Sequence, residues 1–201
     1  MGVLVNGQVQ LKVRNALVEL ANDTKWDSWV RKWNWLDGDP CIKKWAGIGC
    51  DPSNTIIQSL ILDHNNLVGT LGPPISSLTS LITINLSHNY LSGTFGNTLN
   101  SLNSLKKFDC SYNLFSGTVP LLFNSSNLTD LNFQNNDFTQ LPTNILPLTA
   151  LKTLALSVNP HLSGTIPSII NTFTSLENLN LYATQLNGTI PKINSLSQMY
   201  I

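Results

Sequence analysis

The sequence predicts an α/β solenoid, a stack of short coils whose strands form one parallel sheet along a concave side, closed at its N-terminus by a helical cap. Two observations carry this prediction. A frame reading Leu-x-x-Leu-x-Leu-x-x-Asn-x-Leu-x-Gly-x-Ile-Pro returns six times, from Ile57, Leu81, Leu105, Leu128, Leu151 and Leu176, at steps of 24, 24, 23, 23 and 25 residues. A period of that size is one supersecondary unit stacked on copies of itself. Ahead of it, Val9, Val13, Ala16, Leu17 and Leu20 fall on one face of an amphipathic helix over residues 9–20. The chain then divides into a cap (1–55), six repeats (56–198) and the start of a further repeat (199–201).

The second repeat shows why the frame folds this way. Leu81, Ile84 and Leu86 point inward, and Ile84 and Leu86 flank one outward position, as the period of two in a strand requires. Asn89 turns the chain, its amide able to bond backbone groups of neighbouring coils. Leu91, Phe95, Leu99 and Leu102 return along the convex side and close the core. One coil cannot bury its apolar face alone, so neighbours must stack.

Composition narrows the function. Of 201 residues, 42% are hydrophobic and 11% charged, with 11 basic against 11 acidic residues and no formal net charge. A basic stripe of the kind that binds nucleic acid or an anionic membrane is therefore not expected. No apolar run approaches the length of a membrane span. The opening Met1–Val5 is too short for a secretory signal core, so a signal has been removed or the chain is a piece of a longer one. Asn6 argues against myristoylation of Gly2.

Five Asn-x-Ser/Thr sequons, at Asn22, Asn85, Asn124, Asn127 and Asn187, are candidate glycosylation sites. Cys41 and Cys50 lie just before the first repeat, where a bridge would staple a segment too small for its own core; the alternative is two reduced core thiols. Cys110 takes an inward strand position and reads as an inert buried thiol. All five tryptophans fall between positions 26 and 45, as a hydrophobic plug for the first coil or, alternatively, an aromatic ligand platform.

The run Ala16–Leu20, then Trp35, Asp39-Pro40-Cys41, then Trp45-Ala46-Gly47-Ile48-Gly49-Cys50 resembles the N-terminal cap of plant-type leucine-rich-repeat ectodomains. The tails at Leu162–Pro167 and Leu186–Pro191 resemble the plant-specific repeat class, and together these motifs cover nearly the whole chain. Relatives of that kind include receptor kinases, receptor-like proteins and polygalacturonase-inhibiting proteins. The resemblance implies secretion, a right-handed superhelix with a second short sheet, and recognition of peptides, proteins or glycans. Four irregularities depart from the pattern. The third repeat drops a residue near Asn124–Asn127, and the fourth lacks the tail glycine around Gln140. The fifth has an extra residue in Asn159-Pro160-His161-Leu162, and the sixth has Thr184 in place of asparagine.

With the register set, outward strand residues form columns about 4.8 Å apart. One reads Ile61, Asn85, Asp109, Asn132, Ala155, Asn180; the next Asp63, Ser87, Ser111, Gln134, Ser157, Tyr182. A third reads His64, His88, Tyr112, Asn135, Val158, Ala183; a fourth Ser59, Thr83, Lys107, Asp130, Thr153, Asn178. A ligand-binding strip is expected over His64, Asn85, His88, Lys107, Asp109, Tyr112, Asp130, Asn132, Gln134, Asn180 and Tyr182, with the aromatic members as anchors. Lys107 and Asp130 are expected to pair across coils, weakly because exposed. Asp63, His64 and His88 could suggest a metal, and Asp63, Ser87 and His88 a nucleophilic triad, but ladders bring such residue types together by chance. No catalytic residue, metal or cofactor is expected. A glycan on Asn85 would obstruct the first three coils.

The leading expectation is a non-catalytic extracellular recognition module, part of a longer receptor-like protein, whose partner is a protein, peptide or glycan. A structural glycoprotein of matrix, wall or appendage and an inhibitor of a secreted wall-degrading hydrolase are the alternatives. No capping motif follows the sixth repeat, so self-association or a further chain is expected to cover that end.

Overall fold

The computed structural model describes residues 9–120, 125–142, 148–189, 192 and 195–201. Helix α1 spans Leu11–Asp23 and buries Ala16, Leu17, Leu20 and Ala21. It begins two residues later than the apolar periodicity suggests, because Val9 stands ahead of the helix and donates its N–H to Asp39 Oδ2 at 2.7 Å. At the other end the Thr24 hydroxyl donates to the Leu20 carbonyl at 2.7 Å, satisfying a terminal acceptor.

Strands β1 (Ile48–Cys50), β2 (Ile57–Ile61), β4 (Thr83–Asn85), β6 (Lys107–Asp109), β8 (Asp130–Asn132), β10 (Thr153–Ala155), β12 (Asn178–Asn180) and β14 (Gln198–Tyr200) form one eight-stranded sheet in that order. Only β1, which belongs to the cap, runs antiparallel to its neighbour; the other pairs are parallel and in register from coil to coil. A second sheet holds β3 (Val68–Thr70), β5 (Tyr90–Gly93), β7 (Leu114–Thr118), β9 (Asp137–Gln140), β11 (Ser163–Thr165) and β13 (Gln185–Asn187). Short 3-10 turns at Pro73–Ser77 and Ser168–Thr172 lie on the convex side, and α1 is the only α-helix among the described residues. Where the fourth repeat lacks its glycine, the β7–β9 register shifts at Gly117/Thr118.

Inside runs a column of aliphatic side chains, interrupted in coils two to four by Phe95, Phe108, Phe115, Phe133 and Phe138, all at most 2% exposed. Beside it runs a ladder of buried asparagines. Asn89 Oδ1 accepts the N–H groups of Asn65 and Leu67 at 3.0 Å each, while its amide donates to the carbonyls of Leu62, Leu86 and Ser87. Asn113, Asn136 and Asn159 repeat this bridge between consecutive coils. Thr184, in the sixth coil, donates once, to Leu181 O at 2.8 Å.

The cap ends the solenoid by imitating a coil. Asn65 has no coil before it, so its amide exchanges hydrogen bonds with the backbone of Arg31. Trp29, Trp35 and Trp45 are buried, with ring centroids 4.8 and 4.9 Å apart along the series. Each indole N–H reaches a carbonyl, of Thr24, Ala46 and Asp37 respectively. The plug is not made of all five tryptophans, for Trp33 is 59% exposed. Gly47, at φ +78°, cannot be replaced: a Cβ there would stand 2.2 Å from the Ile61 carbonyl oxygen.

Cys41 and Cys50 are joined in a disulfide with Cα atoms 5.9 Å apart. It ties β1 to the Asp39 turn, whose carboxylate accepts the N–H groups of Cys41 and Ile42. The two cysteines stand nine positions apart in the sequence. A loop of that length predicts a loss of about 2–3 kcal/mol when Cys41 and Cys50 are both replaced by alanine. Urea unfolding of the two forms checks it, the midpoint falling in the form without the bridge.

Candidate functional site

The concave strands are three residues long in coils two to six, and this length decides what faces the groove. In each, the middle residue is buried and its two neighbours face outward. A depression of about 330 Å³ lies over coils two to five, walled by Thr83, Asn85, Lys107, Asp109, Asp130, Asn132, Thr153 and Ala155. Thus five of the residues expected to bind, Asn85, Lys107, Asp109, Asp130 and Asn132, share one hollow.

Its side chains are already held. Lys107 Nζ lies 3.5 Å from Asp130 Oδ2, the cross-coil pair expected from the register. Asn132 donates to Asp109 Oδ2 at 3.1 Å, and Ser111 gives Asp109 Oδ1 both its N–H and its hydroxyl, at 2.9 and 2.7 Å. Among the described residues no cation pairs with Asp109, so the hollow carries one uncompensated negative charge. Beneath it the Cys110 thiol is fully buried, and desolvation, with the nearby Asp109 charge, raises its pKa well above the ordinary thiol value. Cys110 therefore stays protonated and inert.

The second outward column needs correction. Ser87, Ser111 and Ser157 are 6%, 2% and 4% exposed and do not face solvent. The chain leaves the strand after the third residue in a turn whose first side chain bonds two residues on. Asn85, Asp109, Asn132 and Asn180 each use a side-chain oxygen to accept the N–H of Ser87, Ser111, Gln134 and Tyr182. These four therefore have a structural task as well as an outward face. In the same column Gln134 stays half-buried and Tyr182 is 61% exposed; neither they nor Asn180 line the hollow.

The residue after the buried serine turns into the left-handed region. His64, His88 and Tyr112 have φ of 49°, 55° and 53°, and Asn135, Val158 and Ala183 follow at 52–55°. Their rings stack along the rim: His64 on His88 at 4.1 Å and 16°, His88 on Tyr112 at 4.1 Å and 10°. Near-parallel imidazoles hold their nitrogens in parallel planes, which does not suit two bonds of about 2.0–2.1 Å to one metal. Nor is the triad assembled: Asp63 bonds His64 rather than His88, and Ser87 is buried.

The sequence did not single out Arg31. Its guanidinium reaches from the cap to the Asp63 carbonyl and, at 3.2 Å, to Asp63 Oδ1, while Asp63 Oδ2 lies 3.2 Å from His64 Nδ1. Burial alone would raise the Asp63 pKa, but the hydrogen bonds from His64 and Arg31 and the Arg31 charge outweigh it and the pKa is lowered. A depressed carboxyl stabilises the fold above its unfolded pKa and loses that stabilisation as pH falls through the folded value. Asp63→Asn should therefore cost about 0.5–1 kcal/mol at pH 7. The difference from the parent should hold down to about pH 3.8, the ordinary aspartate value, and shrink as the pH falls further towards the lowered folded value, and unfolding curves followed from pH 7 downward check this.

Of the sequons, Asn22, Asn127 and Asn187 are exposed, Asn85 is half-buried on the concave sheet, and Asn124 lies outside the described residues. No described helix is long and apolar enough to cross a membrane.

The repeat geometry and the asparagine ladder agree with the comparisons. The family model for the leucine-rich repeat matches residues 80–102, the second coil. The chain is a leucine-rich repeat protein. Receptor-like kinase TMK2 of Arabidopsis thaliana is 29% identical over 160 residues, 79% of this chain and 15% of its own. The structure of PEPR1–AtPEP1 superposes with a TM-score of 0.82 at 31% identity, covering 95% of this chain and 28% of that one. The plant peptide hormone receptor RGFR1 in complex with RGF2 gives 0.61 at 31% identity, covering 67% of this chain and 22% of that one. This leucine-rich repeat chain thus spans 15% to 28% of the length of these three relatives.

Proposed function

We propose that this leucine-rich repeat chain is a ligand-recognition module of a receptor-like protein at the cell surface, and that its concave sheet takes an extended peptide across coils two to five. The hollow over Lys107, Asp109, Asp130 and Asn132 carries the reading, because Asp109 and Asn132 at its centre are hydrogen-bonded to each other and to the turns below before any ligand arrives. Preorganised groups lose little conformational entropy on binding. The solved relatives PEPR1–AtPEP1 and RGFR1 with RGF2 support a peptide as the ligand class. The disulfide and the exposed sequons support an extracellular setting. Asn85 must then be bare of glycan, since it lines the hollow.

The test is a displayed library of linear peptides panned on the folded protein. Sequences enriched on the parent should bind at least tenfold more weakly to Asp109→Ala and to Asn132→Ala. Equal binding to both variants would rule out the concave hollow as the ligand site.

A further inference from the structure

The ring column on the rim stops part-way along the solenoid, at Tyr112 in coil three. His64, His88 and Tyr112 occupy the left-handed position before the ladder asparagine in coils one to three. That conformation is unfavourable for bulky side chains, and asparagine fills it more readily. The chain nevertheless places three rings there in succession, stacked at 4.1 Å. At the cap end the column is fastened, because His64 is held by Asp63, which Arg31 also grips. At the other end nothing continues it. The same position in coil four is Asn135, at φ 52°, a shorter side chain without a ring, followed by Val158 in coil five.

Stacked rings have their planes across the solenoid axis, so the second face of Tyr112 looks along that axis over Asn135. Tyr112 is 42% exposed and Val158, on the far side of the gap, 38%. We propose that this open face of Tyr112 binds an aromatic side chain of the ligand, which lies over Asn135 as the fourth ring of the stack. The inference rests on the peptide reading of the concave face, since Tyr112 follows Asp109 by three residues on coil three and one extended ligand can reach both. It adds a chemical class, an aromatic residue, to a ligand otherwise defined only by shape and hydrogen bonding. Two features make the face a good anchor. Its ring is already immobilised by His88, so little freedom remains to be lost. Offset aromatic stacking also adds attraction beyond burial of apolar area, and tyrosine is enriched among the residues that dominate interfaces.

The test uses N-acetyl-tryptophanamide and N-acetyl-tyrosinamide as probes, with N-acetyl-cyclohexylalaninamide as the apolar control without a ring current, titrated into the isotopically labelled chain. The expected result is an upfield shift of the Tyr112 ring protons and of the Asn135 side-chain amide by both aromatic probes, and at least fivefold weaker binding of the cyclohexyl control. Tyr112→Leu, which keeps an apolar side chain but removes the ring, should abolish the preference for aromatic probes. Asn135→Phe, which fills the place with a ring of the chain's own, should weaken the aromatic probes by at least fivefold. Asp109→Asn should leave the probes unaffected, which separates this site from the concave hollow. The proposal is overturned if the aromatic probes shift neither Tyr112 nor Asn135, if the cyclohexyl control binds equally well, or if Tyr112→Leu retains the preference.

Discussion

Replacing Asn89 by alanine is expected to cost about 3–5 kcal/mol, more than the loss of any one surface interaction in the molecule. The amide is 6% exposed and holds two coils together through five hydrogen bonds. Without it the N–H groups of Asn65 and Leu67 lose their acceptor in a space too dry for water to replace it. Each orphaned donor costs about 1–3 kcal/mol, whereas a hydrogen bond between satisfied partners is worth about 1. Thr184→Ala is the internal control. Its hydroxyl makes one bond, to Leu181 O, at a half-exposed position, and the expected loss is about 1 kcal/mol. Urea midpoints of the two variants check the ratio.

Phe133→Ala should be comparably damaging, at about 3–5 kcal/mol. Phe133 is fully buried, with its ring edge-on to Phe108 and to Phe138, both at 5.7 Å between centroids. Phe95 links the same cluster through Phe108 and Phe115. A backbone fixed by parallel ladders on both sides cannot collapse into the cavity, so most of the volume stays empty. The neighbouring coil has Cys110 in the same inward column, which already leaves little bulk to fill the gap. Phe133→Leu, which retains most of the volume, should cost about 1–1.5 kcal/mol. Thermal unfolding of both variants provides the comparison.

The coils, their register and the inward column were legible because one period repeats six times and each copy confirms the last. So were the Lys107–Asp130 pair and the concave placement of Asn85, Asp109 and Asn132, which follow from register alone. The period-two rule failed at Ser87, Ser111 and Ser157 for a definite reason. The strands end after three residues, and the following turn carries the serine inward; the side chains of Asn85 and Asp109 also hold that turn at Ser87 and Ser111, whereas Ala155 offers Ser157 no such bond. The sequence placed His64, His88 and Tyr112 in one column but could not give their stacking, which depends on left-handed backbone at all three. Arg31 was invisible for another reason. Its contact with Asp63 joins residues 32 apart in a cap that has no period to read. Trp33 shows the same limit, an exposed tryptophan in a run whose other members build the plug.

The proposed ligand lies along the concave sheet rather than on the second sheet. Photo-crosslinking tests this placement most directly, with a benzophenone side chain placed in turn at Lys107, Thr153, Thr94 and Thr165, and a library-selected peptide as the target. Crosslinks are expected from Lys107 and Thr153, which line the hollow, and none from Thr94 or Thr165, which are exposed on the other face. Crosslinks from Thr94 or Thr165 with none from Lys107 and Thr153 would contradict it.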